Sequence, residues 1–146
     1  MHPRYDLAAV LASTLWAGVV LGISFVAQPA KFKTPQLQRP VALATGRQMF
    51  QAMHRTECVL AALSLIFALA PPAHGAARLL PAAAAVLLVL QMAWLMPPLS
   101  QRVDSALVGV PPPPSRHHAL FAVTEVLKFL ALLAFPASLL FTPTIG

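Results

Sequence analysis

Two carboxylates and an amine, Glu57, Glu125 and Lys128, stand inside the most apolar stretches of this sequence, in company with His54, Cys58 and Gln91. In a low-dielectric surrounding such groups can pass a proton, hold a cation or neutralise one another, and a charge left alone there costs on the order of 3 kcal/mol. Their spacing groups them. Lys128 lies three residues beyond Glu125 on one helical face, and His54, Glu57 and Cys58 share a face by i,i+3 and i,i+4 steps. Arg55 falls on another side, where its long stem can carry the guanidinium to the membrane surface. An ammonium at such depth needs a partner, so Lys128 is expected to bind Glu125, Glu57 or both.

Metal chemistry is a weaker reading of the same region. His54 and Cys58 offer two ligands one turn apart, and Met53 and Met92 lie near them, a set that suits a soft ion such as Cu(I). Methionines that fill apolar gaps, and a lone cysteine acting as a small buried hydrophobe, account for these residues without a metal. Axial haem ligation would need a second histidine at the depth of His54, whereas His117 and His118 fall at the water boundary. No HExxH, GxSxG, Walker or paired CxxC pattern occurs. The chain is therefore read as non-enzymatic, with no cofactor.

The elements that must carry these residues follow from composition. The chain is 58% apolar and 10% charged over 146 residues, too little charge to cover a water-soluble domain of that size. Apolar stretches run over residues 7–27, 51–70, 79–96 and 119–141, each near the roughly 20 residues of a spanning helix. They do not alternate as barrel strands do, and lipid admits only helices or closed barrels. The fold class is all-α: a polytopic membrane protein in which one domain, residues 1–146, forms a four-transmembrane-helix bundle.

Span lengths then set depth. The uncharged residues 58–70 supply about 20 Å of helix where the bilayer core needs about 30 Å. The second span must reach back to about Gln51, taking in His54, Arg55 and Glu57. Counted from that edge, Glu57 and Glu125 both lie roughly 10 Å deep, and the third span, running the other way, brings Gln91 to the same level. The pocket so formed is expected to open toward the cytoplasm and close outward. Pro40 can open a helix at its first turn, and no proline interrupts residues 41–50, which predicts a second helix of about 30 residues. In the first span Thr14, Gly18 and Gly22 form a small-residue stripe suited to close helix packing, expected inside the bundle. Arg4 ahead of that span suggests a signal peptide, but the apolar run is too long and no clean small-x-small site follows, so the span is read as retained.

The connections orient the bundle. Lys31, Lys33, Arg39, Arg47, Arg102 and Arg116 lie on one side, and Arg4 and Arg78 on the other. By the positive-inside rule the two longer connections are cytoplasmic and both termini periplasmic, which places the chain as a multi-pass protein of the bacterial inner membrane. The net charge of +6 is explained by this topology, and no folded polar face remains for nucleic acid. Pro111 to Pro114 in the second long connection form a stiff spacer.

Trp16-Ala17-Gly18, Phe25, Pro29 and Phe32 around the first span, and Gly46-Arg47-x-x-Phe50 opening the second, resemble the DUF4149 / TMEM205-like group of small bacterial four-helix membrane proteins. That resemblance implies an integral membrane bundle without an assigned activity. Glu125, Lys128 and the four-proline connection are additional to its pattern. The expected role is that of an accessory or assembly partner in the lipid bilayer, contacting another membrane protein or a second copy. The alternatives are a small transporter or conducting oligomer using the buried Glu/Lys site, and a soft-metal binding protein.

Overall fold

The computed structural model describes residues 3–70, 75–111 and 114–140. Among these the chain is all-α, without a strand. Four helices are long and apolar enough to cross a membrane: α1 (Tyr5–Lys31), α2 (Arg39–Leu69), α3 (Gly75–Leu107) and α4 (His117–Leu139). In the bundle α1 packs against α2 and α4, and α3 packs against the same two. The helices thus form a ring in chain order, with α2 and α4 facing each other across a diagonal.

The distribution of side chains is the reverse of a water-soluble bundle. Small residues, Ala9, Ala12, Ala17, Ala61, Ala68 and Ala84, are buried at the helix contacts, where they let backbones approach closely. Leu15, Ile66 and Val89 point outward, each more than 60% exposed. Water would drive these large side chains inside, whereas lipid solvates them. The interior instead holds Ser13, Gln28, His54, Glu57, Ser64, Gln91, Glu125 and Lys128.

The second helix is the long rod read from Pro40: α2 has 31 residues, with proline in its first turn, and stops at Ala70, which is extended (ψ 141°) as the residue before Pro71 must be. The first and third helices differ from expectation. The apolar stretches end at Ala27 and Met96, just before Pro29 and Pro97, yet both helices continue, to Lys31 and Leu107. Each does so through a widened π turn, Leu21–Ala27 in α1 and Gln91–Leu95 in α3. The N–H of Gln28 bonds to the carbonyl of Ile23, and that of Met96 to Gln91, both five residues back. A proline ring crowds the carbonyl four residues before it. The wider turn shifts that carbonyl aside, so the helix passes the proline instead of breaking.

At the loop end, α3 stops where Gly109 takes φ 76°. Val110 N–H bonds to Ser105 (2.9 Å) and Gly109 N–H to Ala106 (3.3 Å), the paired bonds of a Schellman stop that favours glycine. Pro112 and Pro113 of the expected spacer, and Phe141 at the end of the fourth expected span, lie outside the described residues.

Candidate functional site

Two apolar clusters bound the centre of the bundle. On the side away from the long connections Trp16, Ala17, Val20, Ala61, Ala84, Leu88 and Leu132 pack together. Toward the connections lie Leu95, Met96 and Phe121, with Phe50 and Leu99 against them. Between the two, Glu57, Gln91 and Lys128 are 0% exposed, Glu125 2% and His54 3%.

Lys128 is the hub. Its Nζ contacts Glu57 Oε1 at 2.5 Å, across the α2–α4 diagonal, and donates to Glu125 Oε1 and Gln91 Oε1, each at 2.7 Å. An ammonium has three donors, and here three acceptors meet it. Gln91 Nε2 returns bonds to Glu125 Oε1 (2.6 Å) and Thr124 Oγ1 (2.9 Å). From α1, Trp16 Nε1 donates to Glu57 Oε1 at 2.8 Å, and the Ser24 hydroxyl donates to Glu125 Oε2. All four helices therefore bond into one network. The two π turns contain Ser24 and Gln91, the residues through which α1 and α3 reach Glu125. One extra residue in a turn re-aims the side chains that follow, and here it turns polar ones inward.

His54 sits on the connection side of Glu57. Its ring lies 6.4 Å from that of Phe50 and 6.0 Å from that of Phe121, and these two phenyl rings meet edge to face at 4.8 Å. His54 Nε2 is 3.8 Å from Glu57 Oε2, and both atoms are buried without a hydrogen-bond partner. With neutral imidazole, two carboxylates and one ammonium leave the centre one negative charge in excess.

The structure thus brings together Glu57, Glu125, Lys128, Gln91 and His54. Three expectations need correction. Cys58 does not share the inward face with His54 and Glu57: it is exposed, and its sulfur lies 3.7 Å from that of Met92 on the outside of the bundle. The cause is helical phase, since a residue one step beyond Glu57 is turned by about 100°. The soft-metal set is divided accordingly, because Met53 turns to Ser24 and His54 to the phenyl rings. Among the described residues no three His, Cys, Asp or Glu side chains are grouped to hold a metal ion. Second, Thr14, Gly18 and Gly22 face outward, and a Cβ on either glycine would meet nothing within 4 Å. The inner face of α1 is built by Ala9, Ala12, Ser13, Trp16, Ala17 and Val20 instead. Third, the connection side of the centre is filled by the Phe50, His54 and Phe121 rings, where an opening was expected.

Trp16, Ser24 and Thr124 were not read from sequence as parts of the site. Pro29 and Pro97 were the available signal, because prolines are common sites of a local change of turn in a long helix and Ser24 and Gln91 lie just ahead of them, although Pro136 sits in α4 without one.

An inverted bundle whose helices share one buried ionic network defines a small polytopic membrane protein. Residues 11–106 match the family described as Domain of unknown function (DUF4149), and the chain belongs to that family, as the Trp16 and Gly46 motifs led us to expect. The matched region carries Trp16, Ser24, His54, Glu57 and Gln91 and ends before α4, which supplies Glu125 and Lys128. No curated protein and no solved structure matches the chain.

Proposed function

We propose that this is a non-catalytic accessory or assembly partner in the bacterial inner membrane, with both termini periplasmic and the two basic connections cytoplasmic. The observation that carries this reading is that one buried polar network joins all four helices. Lys128 meets both carboxylates and Gln91, and apolar clusters lie on either side. The centre so arranged fixes how four helices pack, a role that weak hydrophobic drive in lipid leaves to polar bonds. Contact with another component then falls to the exterior, where the Thr14, Gly18 and Gly22 track lets a neighbouring helix approach α1.

Gly18→Leu and Gly22→Leu test this, since nothing in the bundle stands near either Cβ position. Each variant should fold as the parent does and lose a partner that co-purifies with it at fixed stoichiometry in mild detergent. A parent that purifies alone as a monomer would refute the reading. The unpaired His54 and Glu57 atoms favour a second reading, a small transporter that uses the Glu57, Glu125 and Lys128 site. Such a protein would move its solute in liposomes without any other component.

A further inference from the structure

We propose that the bundle centre binds one exchangeable proton, shared between Glu57 Oε2 and His54 Nε2. This stands apart from the accessory reading and rests on three features of the geometry. The first is a pair of buried polar atoms, 3.8 Å apart, that have no partner although every other carboxylate oxygen in the centre has one. With Glu57 ionised and the imidazole proton on Nδ1, two acceptors would face each other with no hydrogen between them; with that proton on Nε2 the pair could bond, but the centre would keep its excess negative charge. A bridging water would need them about 4.6 Å apart, at about 2.8 Å from each. A metal ion would find only these two donors and would sit against the Lys128 ammonium, 2.5 Å from the same carboxylate. A proton needs only a small rotation that closes the gap to hydrogen-bond length.

The second feature is the asymmetry of Glu57. Its Oε1 accepts from both Trp16 Nε1 and Lys128 Nζ, while its Oε2 accepts from nothing. That is the pattern of a carboxylic acid, whose carbonyl oxygen accepts and whose hydroxyl donates. Glu125 accepts on both oxygens, from Lys128 and Gln91 on one and Ser24 on the other, as an ionised carboxylate does. The third is charge. One added proton cancels the excess negative charge of two carboxylates and one ammonium, which low-dielectric burial demands.

Uptake forms a single O–H or N–H bond with a proton from water. The product is Glu57 acid bonded to neutral imidazole, or its tautomer, carboxylate facing imidazolium. The groups facing this pair are Trp16 from α1, Gln91 from α3, and Lys128, Glu125 and Phe121 from α4, with Phe50 on α2 itself. Lys128 meets Oε1 of both carboxylates and Ser24 holds the second oxygen of Glu125, which leaves Glu57 Oε2 and His54 Nε2 to take the proton.

The test is infrared difference spectroscopy of the full-length protein in lipid bilayers, combined with nitrogen NMR of labelled histidine, titrated from mildly acidic to alkaline pH. Near neutral pH we expect one buried carboxylic acid C=O band, or one doubly protonated imidazole, lost together on alkaline titration. The signal should disappear in Glu57→Gln; in Glu125→Gln, where one carboxylate and the Lys128 ammonium already balance, it should be lost at a lower pH than in the parent. Removing the imidazole acceptor in His54→Phe should shift the C=O band to the position of a free acid. Two ionised carboxylates beside a neutral imidazole in the parent would overturn the proposal, as would an acid band that survives Glu57→Gln. Glutamine at 57 keeps an oxygen for Trp16 and Lys128 and places an N–H toward His54, so failure of Glu57→Gln to fold would also count against it.

Discussion

Lys128→Met removes the group that holds the two carboxylates together while leaving the volume of the side chain nearly unchanged. The parent ammonium meets Glu57 Oε1 at 2.5 Å and Glu125 and Gln91 at 2.7 Å, with no exposure to solvent. Taking one partner from a buried ion pair costs about 3–5 kcal/mol, because the remaining charge stays desolvated. At about 1.4 kcal/mol per tenfold, the folded-to-unfolded ratio should fall by between about 100-fold and about 5,000-fold. Reversible unfolding by denaturing detergent in mixed micelles, followed through tryptophan fluorescence, would read this directly. Replacing Glu57 and Glu125 by methionine in the same variant should recover part of the loss, since no buried charge is then stranded. Recovery will stop short by about 1–3 kcal/mol, because the Trp16 N–H, now bonded to Glu57, is left without an acceptor. A Lys128→Met protein within about 1 kcal/mol of the parent would refute this reasoning, and would mean that water reaches the amine.

Trp16→Phe should cost about 1–3 kcal/mol in the same assay, through the lost bond to Glu57, and should be nearly neutral once Glu57 is methionine. Asp104→Asn breaks the 2.5 Å pair with Arg47 but should change stability by less than about 1 kcal/mol, since Asp104 is 63% exposed and exposed pairs contribute little. Gly46→Ala places a Cβ against Lys31 Nζ and 2.9 Å from Gln28 Oε1, so both side chains must shift and the bond from Gln28 to the Gly46 carbonyl is put at risk; the change should destabilise by about 1 kcal/mol, and Lys31→Ala should relieve only part of that loss. Orientation is read by moving the single thiol to the loop end, as Cys58→Ser with Ser105→Cys. Labelling of intact cells by a membrane-impermeant reagent should fail there, and successful labelling would reverse the topology.

Glu57, Glu125 and Gln91 could be set at one level from span lengths and helical rise alone, the first fixed by the bilayer and the second by the helix. The long second helix was legible for a similar reason, because Pro40 and Pro71 mark its ends. Azimuth was less legible than depth. Cys58 lies within one turn of His54, yet a helix turns about 100° per residue, and the side it faces depends on where neighbouring helices stand. The small stripe failed in the same way: spacing shows that Thr14, Gly18 and Gly22 are aligned, while the partners of α1 decide whether that line faces in or out. Trp16 is the converse case, a large residue that reads as an interfacial or lipid-facing side chain until Glu57 on the next helix gives its N–H an acceptor.

The two π turns bear on how related sequences should be compared. Each carries one residue more than an α turn would use, at residues 21–27 and 91–95. Deleting that residue would leave an uninterrupted α-helix of nearly the same length, with everything on the loop side rotated by about 100° relative to the polar centre. A single-residue gap within a spanning helix is ordinarily taken for an alignment error and closed. In a relative, such a gap placed just ahead of Pro29 or Pro97 would mark a helix whose loop side turns differently from this one.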